Sequence, residues 1–112
     1  MAQPFEDCVK TTVRCIAAAE KCAALCGTSG DAERERCAVL ARDCADAGRL
    51  VEAFMLRGSD FAADACALHA ATCEAFADYC AKWPADGCCR EAMQAARACA
   101  VACRACAVPE AA

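Results

Sequence analysis

The chain places small apolar residues and charged residues at helical spacings, and turn signals divide it into four segments of similar length. Glycine, proline and serine collect around residues 27–30, 58–59 and 84–87. Such residues end helices and form turns. The pattern predicts four helices at about residues 4–26, 31–57, 60–83 and 84–107.

Residues suited to helix ends stand at each predicted boundary. An acidic or hydroxyl side chain accepts hydrogen bonds from the first N–H groups of a helix, and glycine adopts the left-handed conformation that often follows the last turn. The predicted end residues are Pro4 and Gly27 for the first helix, Asp31 and Gly58 for the second, Ser59 or Asp60 before the third, Pro84 with Asp86 before the fourth, and Pro109 after it.

Four helices joined by short loops favour an antiparallel up-down-up-down four-helix bundle. The chain has 112 residues, which is enough for one core. The sequence therefore predicts an all-α protein in which residues 1–112 form a single domain.

Cysteine dominates the composition. Fourteen residues are cysteine, and 60% of the chain counts as hydrophobic, but alanine and cysteine rather than large aliphatic residues supply much of that share. Five glycines and three prolines are few for a loop-rich disulfide scaffold. The helices must therefore carry the cysteines.

The net charge and the N-terminal sequence limit which binding partners and which cellular compartment we expect. A net charge of −4 offers no basic surface for nucleic acid or anionic lipid. No uncharged stretch reaches the ~20 residues of a membrane-spanning helix. The chain begins without the basic and apolar regions of a secretory signal. We expect a cytoplasmic protein with reduced thiols, or alternatively an exported protein whose signal has been removed.

In the first three predicted helices the cysteines recur mainly at a seven-residue step, which places side chains on one face. In the fourth they lie on one broad face, with Cys89 towards its edge. Bundles normally carry leucine or isoleucine at these inward positions. Met55 continues the row of helix two, His69 lies beside the row of helix three, and Met93 lies at the edge of the face on helix four. The cysteines are Cys8, Cys15, Cys22, Cys26, Cys37, Cys44, Cys66, Cys73, Cys80, Cys88, Cys89, Cys99, Cys103 and Cys106. We predict a core lined with thiols.

Pairing the helices about their loops predicts three levels of thiols. One end collects Cys22, Cys26, Cys37, Cys80, Cys88 and Cys89. The middle holds Cys15, Cys44 and Cys73, and the other end holds Cys8, Cys66, Cys103 and Cys106 near His69 and Met55.

Two interpretations without metal stay open. Cysteine can act as a small apolar residue in an ordinary core. Alternatively, disulfides between helices, for example around Cys15 and Cys44, would make a disulfide-stapled helical interaction protein. Bridges within one helix at a step of seven are excluded, because the Cα atoms lie about 10.5 Å apart.

Clustered thiolates favour soft metal ions such as Cu(I), Zn(II) and the iron of iron–sulfur clusters. Zinc and iron–sulfur sites usually use closely spaced cysteines on loops. Rows of thiols along helices instead offer repeated sites of two or three thiolates, which Cu(I) accepts, and Cys22 with Cys26 and Cys99 with Cys103 lie one turn apart. The residues favour storage of multiple Cu(I) ions per chain.

Two other functions compete with storage. A cysteine enzyme needs one activated nucleophile and its partners, and the single His69 gives no recognisable set, so we expect no enzyme. A metallochaperone that delivers Cu(I) or Zn(II) needs one exposed site rather than fourteen thiols.

The cysteine rows on all four helices, with Cys22-x-x-x-Cys26 and Cys99-x-x-x-Cys103, resemble the bacterial copper storage proteins over nearly the whole chain. This resemblance implies a four-helix bundle that holds Cu(I) inside, a homotetramer, and exchange of copper with donor or acceptor proteins. It also implies histidine or methionine near the mouth where ions enter. Met55 and His69 are the candidates in this chain.

Overall fold

The computed structural model describes residues 3–107, with side chains from Phe5 onward, and contains four helices in that range. They are α1 (Gln3–Gly27), α2 (Ala32–Leu56), α3 (Ala62–Cys80) and α4 (Gly87–Ala107). The described part of the chain is therefore all-α, with short connections.

The residues at the two ends of α2 agree with the sequence prediction. The Asp31 carboxylate accepts hydrogen bonds from the backbone N–H groups of Glu33 and Arg34, at 2.9 and 3.3 Å. Gly58 has a φ of 65° after the last turn, in the left-handed region that favours glycine.

The ends of α3 differ from the sequence prediction, and so does the start of α4. Neither Ser59 nor Asp60 caps α3: Phe61 occupies the cap position and makes no side-chain cap hydrogen bond. Turns after Cys80 shorten the predicted third helix, because the Trp83 N–H donates to the Cys80 carbonyl at 3.0 Å. Asp86 does precede α4 and accepts from the N–H groups of Cys88 and Cys89. Pro109 lies outside the described residues.

The helices form a closed ring in which α1 contacts α2 and α4, and α3 contacts α2 and α4. Contacting cysteines run in opposite senses along α1 and α2, since Cys15 meets Cys44 whereas Cys22 groups with Cys37. The same reversal relates α3 to α2 and α4 to α1. The bundle measures 50 × 20 × 17 Å.

The core is made largely of cysteine and alanine. Twelve of the fourteen cysteines are buried, and Cys88 and Cys106 are half-buried. Phe76, His69 and Val51 are the largest fully buried side chains of the described residues, whereas Leu56, Phe61 and Val101 are exposed. Thiols therefore occupy the positions that large aliphatic side chains fill in most bundles.

Candidate metal centre

Three helices bring three thiols together at the middle of the bundle. The sulfur atoms of Cys15 and Cys44 lie 3.6 Å apart, those of Cys44 and Cys73 3.6 Å, and those of Cys15 and Cys73 3.8 Å. A point equidistant from this middle set of Cys15, Cys44 and Cys73 lies about 2.1 Å from each sulfur, close to the ~2.3 Å of a metal–thiolate bond. The triangle therefore has the size of a three-thiolate metal site.

His69 extends the middle set towards α4. Its Nε2 lies 3.9 Å from the Cys44 sulfur, and its Nδ1 lies 3.7 Å from Cys99 and 3.5 Å from Cys103. Cys15, Cys73 and Cys99 have sulfur atoms within 4.8 Å of one another and of a His69 ring nitrogen. Because His69 has 0% exposure, it lies inside the thiol core and not at a mouth of the bundle, so that expected position is wrong.

Two further residues beside these ligands, Gly48 and Thr12, do not stand out in the cysteine pattern. Gly48 of α2 leaves space for the ring, since a Cβ there would lie 3.1 Å from Nε2 and 2.8 Å from Cγ1 of Ile16. Thr12 is fully buried, and its hydroxyl lies 3.5 Å from the Cys99 sulfur. The roles of Gly48 and Thr12 both depend on contacts between helices, and the spacing of residues along one helix does not reveal such contacts.

Met55 marks one end of the thiol core, which we call the Met55 end. The Cys8 sulfur lies 3.9 Å from that of Cys66 and 3.7 Å from that of Cys103. The Met55 thioether lies 4.0 Å from Cys66, and Met55 has 8% exposure. This end has three thiols in range of one ion, with a thioether beside them.

Arg34 marks the opposite end, the Arg34 end. This end contains two sets of three sulfur atoms, and both sets include Cys22. Within each set the atoms lie within 4.8 Å of one another. The Arg34 guanidinium donates to Asp86 at 2.7 Å and lies 3.8 Å from the Cys89 sulfur. The sets are Cys22, Cys37 and Cys80, and Cys22, Cys26 and Cys89.

Burial and mutual hydrogen bonds control the protonation of these groups. Hydrogen bonds with Cys15 and Cys73 lower the pKa of the Cys44 thiol. Burial lowers the pKa of His69, but the facing Cys44 and Cys99 outweigh it and raise that pKa to about 9. Burial raises the pKa of the Cys106 thiol to about 11. Metal binding at these thiols must displace protons.

The structure brings the predicted thiols together at the predicted levels. Cys15, Cys44 and Cys73 form the middle set, and Cys8, Cys66 and Cys103 lie at the Met55 end. Cys99, to which the sequence assigned no level, joins the middle set through His69. Met93 is half-buried against the core. No disulfide joins any of the fourteen cysteines, all of which lie in the described part of the chain.

Comparison with known proteins identifies relatives of this arrangement. The family model described as copper storage protein matches residues 1–108, and no curated protein matches. The Cu(I)-bound copper storage protein 3 of Bacillus subtilis is 31% identical, with a TM-score of 0.87 over 95% of this chain and 100% of that one. Its apo form, with 32% identity, gives 0.77 over 92% and 98%.

A protein of Nitrosospira multiformis is 28% identical to this chain, with a TM-score of 0.85 over 96% of this chain and 97% of that one. The family model spans nearly the whole sequence, and each of these structures covers more than 90% of this chain. The chain belongs to the copper storage protein family.

Proposed function

We propose that this chain stores many Cu(I) ions, bound by thiolates inside the bundle. The middle set carries the proposal, because its three sulfur atoms, 3.6 to 3.8 Å apart, surround a point at metal–thiolate distance. Cys15 and Cys73 also belong to the set with Cys99 and His69, so neighbouring ions share thiolates. Cu(I) favours soft ligands such as thiolates and accepts a low coordination number, so shared thiolates suit it.

The proposed ligands are all fourteen thiols, with His69 and Met55 as the two others. His69 places both ring nitrogens within 3.9 Å of sulfur atoms, so either nitrogen has a thiol partner. Met55 places a thioether beside Cys66. The thiol ligands are Cys8, Cys15, Cys22, Cys26, Cys37, Cys44, Cys66, Cys73, Cys80, Cys88, Cys89, Cys99, Cys103 and Cys106.

Storage fits the burial of these ligands better than catalysis or delivery. Twelve thiols are buried, whereas a nucleophile or a delivery site needs an accessible thiol. We place the protein in the reducing cytoplasm, where thiols stay available for metal. The structure contains no helix, among the described residues, that is long and apolar enough to cross a membrane. Copper would reach and leave the chain through donor and acceptor proteins.

Removing the middle set tests the proposal. The triple variant Cys15→Ser, Cys44→Ser and Cys73→Ser replaces soft sulfur with hard oxygen at the same positions. We expect it to retain clearly fewer Cu(I) ions than the wild type after anaerobic gel filtration. The control, Ala17→Ser, Ala24→Ser and Ala71→Ser, adds three hydroxyls at exposed positions and keeps every thiol. Equal copper retention by the triple variant and the wild type would refute the proposed sites.

We also propose that the protein is a homotetramer. Several large apolar side chains lie exposed on the bundle, and among them Val101 has 74% exposure, Phe61 63% and Leu68 53%. Association would cover such side chains. Light scattering of the reduced protein should give the mass of four chains, and the mass of one chain would contradict the assembly.

A further inference from the structure

The thiol contacts of the bundle fall into two groups. Sulfur–sulfur contacts of 3.6 to 3.9 Å, sets of sulfur atoms within 4.8 Å of one another, and the contacts of His69 connect the buried thiols within each group. The first compartment contains Cys8, Cys15, Cys44, Cys66, Cys73, Cys99, Cys103 and Cys106. The second compartment contains Cys22, Cys26, Cys37, Cys80, Cys88 and Cys89.

A belt of alanine lies between the two compartments. Ala19 lies between Cys15 and Cys22 of α1, and Ala77 lies between Cys73 and Cys80 of α3. Seven residues of helix separate the thiols on each side by about 10.5 Å along the axis. The belt contains one buried alanine from each helix, Ala19, Ala41, Ala77 and Ala92, with exposures of 0%, 0%, 0% and 1%.

The belt offers no ligand in its centre. A methyl group cannot coordinate an ion, and a bare cation that leaves its thiolates in an apolar interior loses both its ligands and its hydration. Phe76, which is fully buried in the same turn of α3, adds further hydrocarbon. Met93 is the soft side chain at this level of α4, and it is half-buried at the margin of the core.

Each compartment has its own partly exposed thiol. Cys106 is half-buried in the last turn of α4 and interacts with Cys8 of the first compartment. Cys88 is half-buried in the first turn of α4 and lies near Cys22 and Cys26 of the second. The two thiols lie at opposite ends of a bundle 50 Å long.

We propose that the alanine belt divides the interior into two compartments that take up Cu(I) independently, through Cys106 at the Met55 end and Cys88 at the Arg34 end. The inference rests on the proposed storage of Cu(I). At each step a copper–thiolate bond forms, the previous ligand of the ion leaves, and the thiol proton passes to solvent without any change in oxidation state.

Two matched variants test the division. Cys88→Ser and Cys106→Ser each remove one half-buried sulfur and leave a small hydroxyl that is a poor ligand for Cu(I). The reduced full chain is mixed anaerobically with the acetonitrile complex of Cu(I). Thiolate-to-copper absorbance gives the rate of uptake, and native mass spectrometry counts the ions bound at each time.

We expect each variant to slow uptake severalfold for one part of the bound copper and to leave the rest at the wild-type rate. The slowed fraction should be smaller for Cys88→Ser, because the second compartment has six cysteines and the first has eight. The two slowed fractions should together account for the wild-type total. Slower uptake of all ions in either variant, or no change in both, would overturn the division.

Ala19→Cys in the Cys88→Ser background tests the belt itself. The new thiol would stand four residues after Cys15 and three before Cys22, and the existing four-residue pair of Cys22 and Cys26 has its sulfur atoms 3.8 Å apart. We expect this thiol to connect the compartments and restore the rate of the slowed fraction. The control Ala17→Cys adds an exposed thiol on the same helix and should restore nothing.

The outcomes separate this inference from the proposed function. If the wild type takes up no more than one or two ions, storage fails and the inference fails with it. If the wild type takes up many ions but the Ala19→Cys and Ala17→Cys variants load alike, storage stands and the belt is not a barrier. Far-ultraviolet circular dichroism confirms that each variant keeps its helices.

Discussion

Gly48 is the residue on which the position of His69 depends. Glycine inside a helix costs about 1 kcal/mol relative to alanine, so its presence in the middle of α2 calls for a local reason. The reason is space: a Cβ at Gly48 would lie 3.1 Å from Nε2 of the fully buried His69 and 2.8 Å from Cγ1 of Ile16. The absent side chain allows the imidazole to reach the thiols.

Gly48→Ala should therefore lower the free energy of unfolding although it improves helix propensity. Overpacking costs about 1–3 kcal/mol, which outweighs the gain of about 1 kcal/mol in propensity, so we expect a net loss of about 1 kcal/mol in urea unfolding of the reduced protein. Ile16→Ala in the same background should relieve part of the clash, measured as a coupling energy in a double-mutant cycle. A more stable Gly48→Ala variant would show that the space has no structural role.

Phe76 supplies the largest buried hydrocarbon in a core of small side chains. Phe76→Ala should cost about 3–5 kcal/mol, a large share of the stability of a small domain, and Phe76→Leu should cost much less. Thermal unfolding of both reduced variants measures the difference. Equal melting temperatures for Phe76→Ala and the wild type would show that the thiols and alanines alone stabilise the bundle.

At the scale of the helices, Asp86 joins two elements. Its carboxylate accepts from the N–H groups of Cys88 and Cys89 at the start of α4, and it pairs with Arg34 of α2 at 2.7 Å. The guanidinium contributes further by lying 4.6 Å from the Trp83 ring centroid. Asp86 therefore fixes the turn between α3 and α4 against α2.

This pairing predicts a pH-dependent contribution to stability. Arg34 and the helix N–H groups lower the pKa of Asp86 below its ordinary value of 3.8. A lowered pKa in the folded state means that the ionised carboxylate stabilises fully above about pH 4, and that this stability is lost as the pH falls through the folded value. Asp86→Asn should cost about 1 kcal/mol at pH 7, and the difference from the wild type should shrink at pH 3.

Urea unfolding at both pH values measures this effect. Asp31→Asn is the matched control, because asparagine caps a helix about as well as aspartate and the change should amount to a few tenths of a kcal/mol. An Asp86→Asn deficit that is as large at pH 3 as at pH 7 would contradict the role of the charge.

Helix geometry explains what the sequence predicts and what it does not. The seven-residue step requires Cys8, Cys15 and Cys22 to share one face, and short loops set which levels meet, so the middle set is predictable. The ends of α3 are less predictable, since turns around Trp83 replace the helix that spacing alone would continue. The depth of His69 and the roles of Gly48 and Thr12 arise from contacts across helices, which a pattern along one helix does not contain.

At the scale of the whole molecule, the bundle combines a thiol interior with few large apolar side chains. A metal ion that binds only the folded state raises the free energy of unfolding by an amount set by its Kd and its free concentration. The gain is about 2.7 kcal/mol per site when the free concentration is 100 times the Kd. We expect Cu(I) to raise the melting temperature progressively as ions are added. Removal of the metal with a strong Cu(I) chelator should return the melting temperature to that of the apo protein. A melting temperature that copper leaves unchanged would contradict binding inside the bundle.

The number of Cu(I) ions that one chain holds separates storage from delivery, and anaerobic titration of the fully reduced chain with Cu(I) measures it most directly. Thiolate-to-copper absorbance follows the titration, and metal analysis after gel filtration counts the ions that stay bound. In the proposed sites neighbouring Cu(I) ions share thiolates, so we predict saturation near one ion per cysteine, on the order of ten or more per chain. Saturation at one or two ions per chain would contradict storage and point to delivery of a single ion.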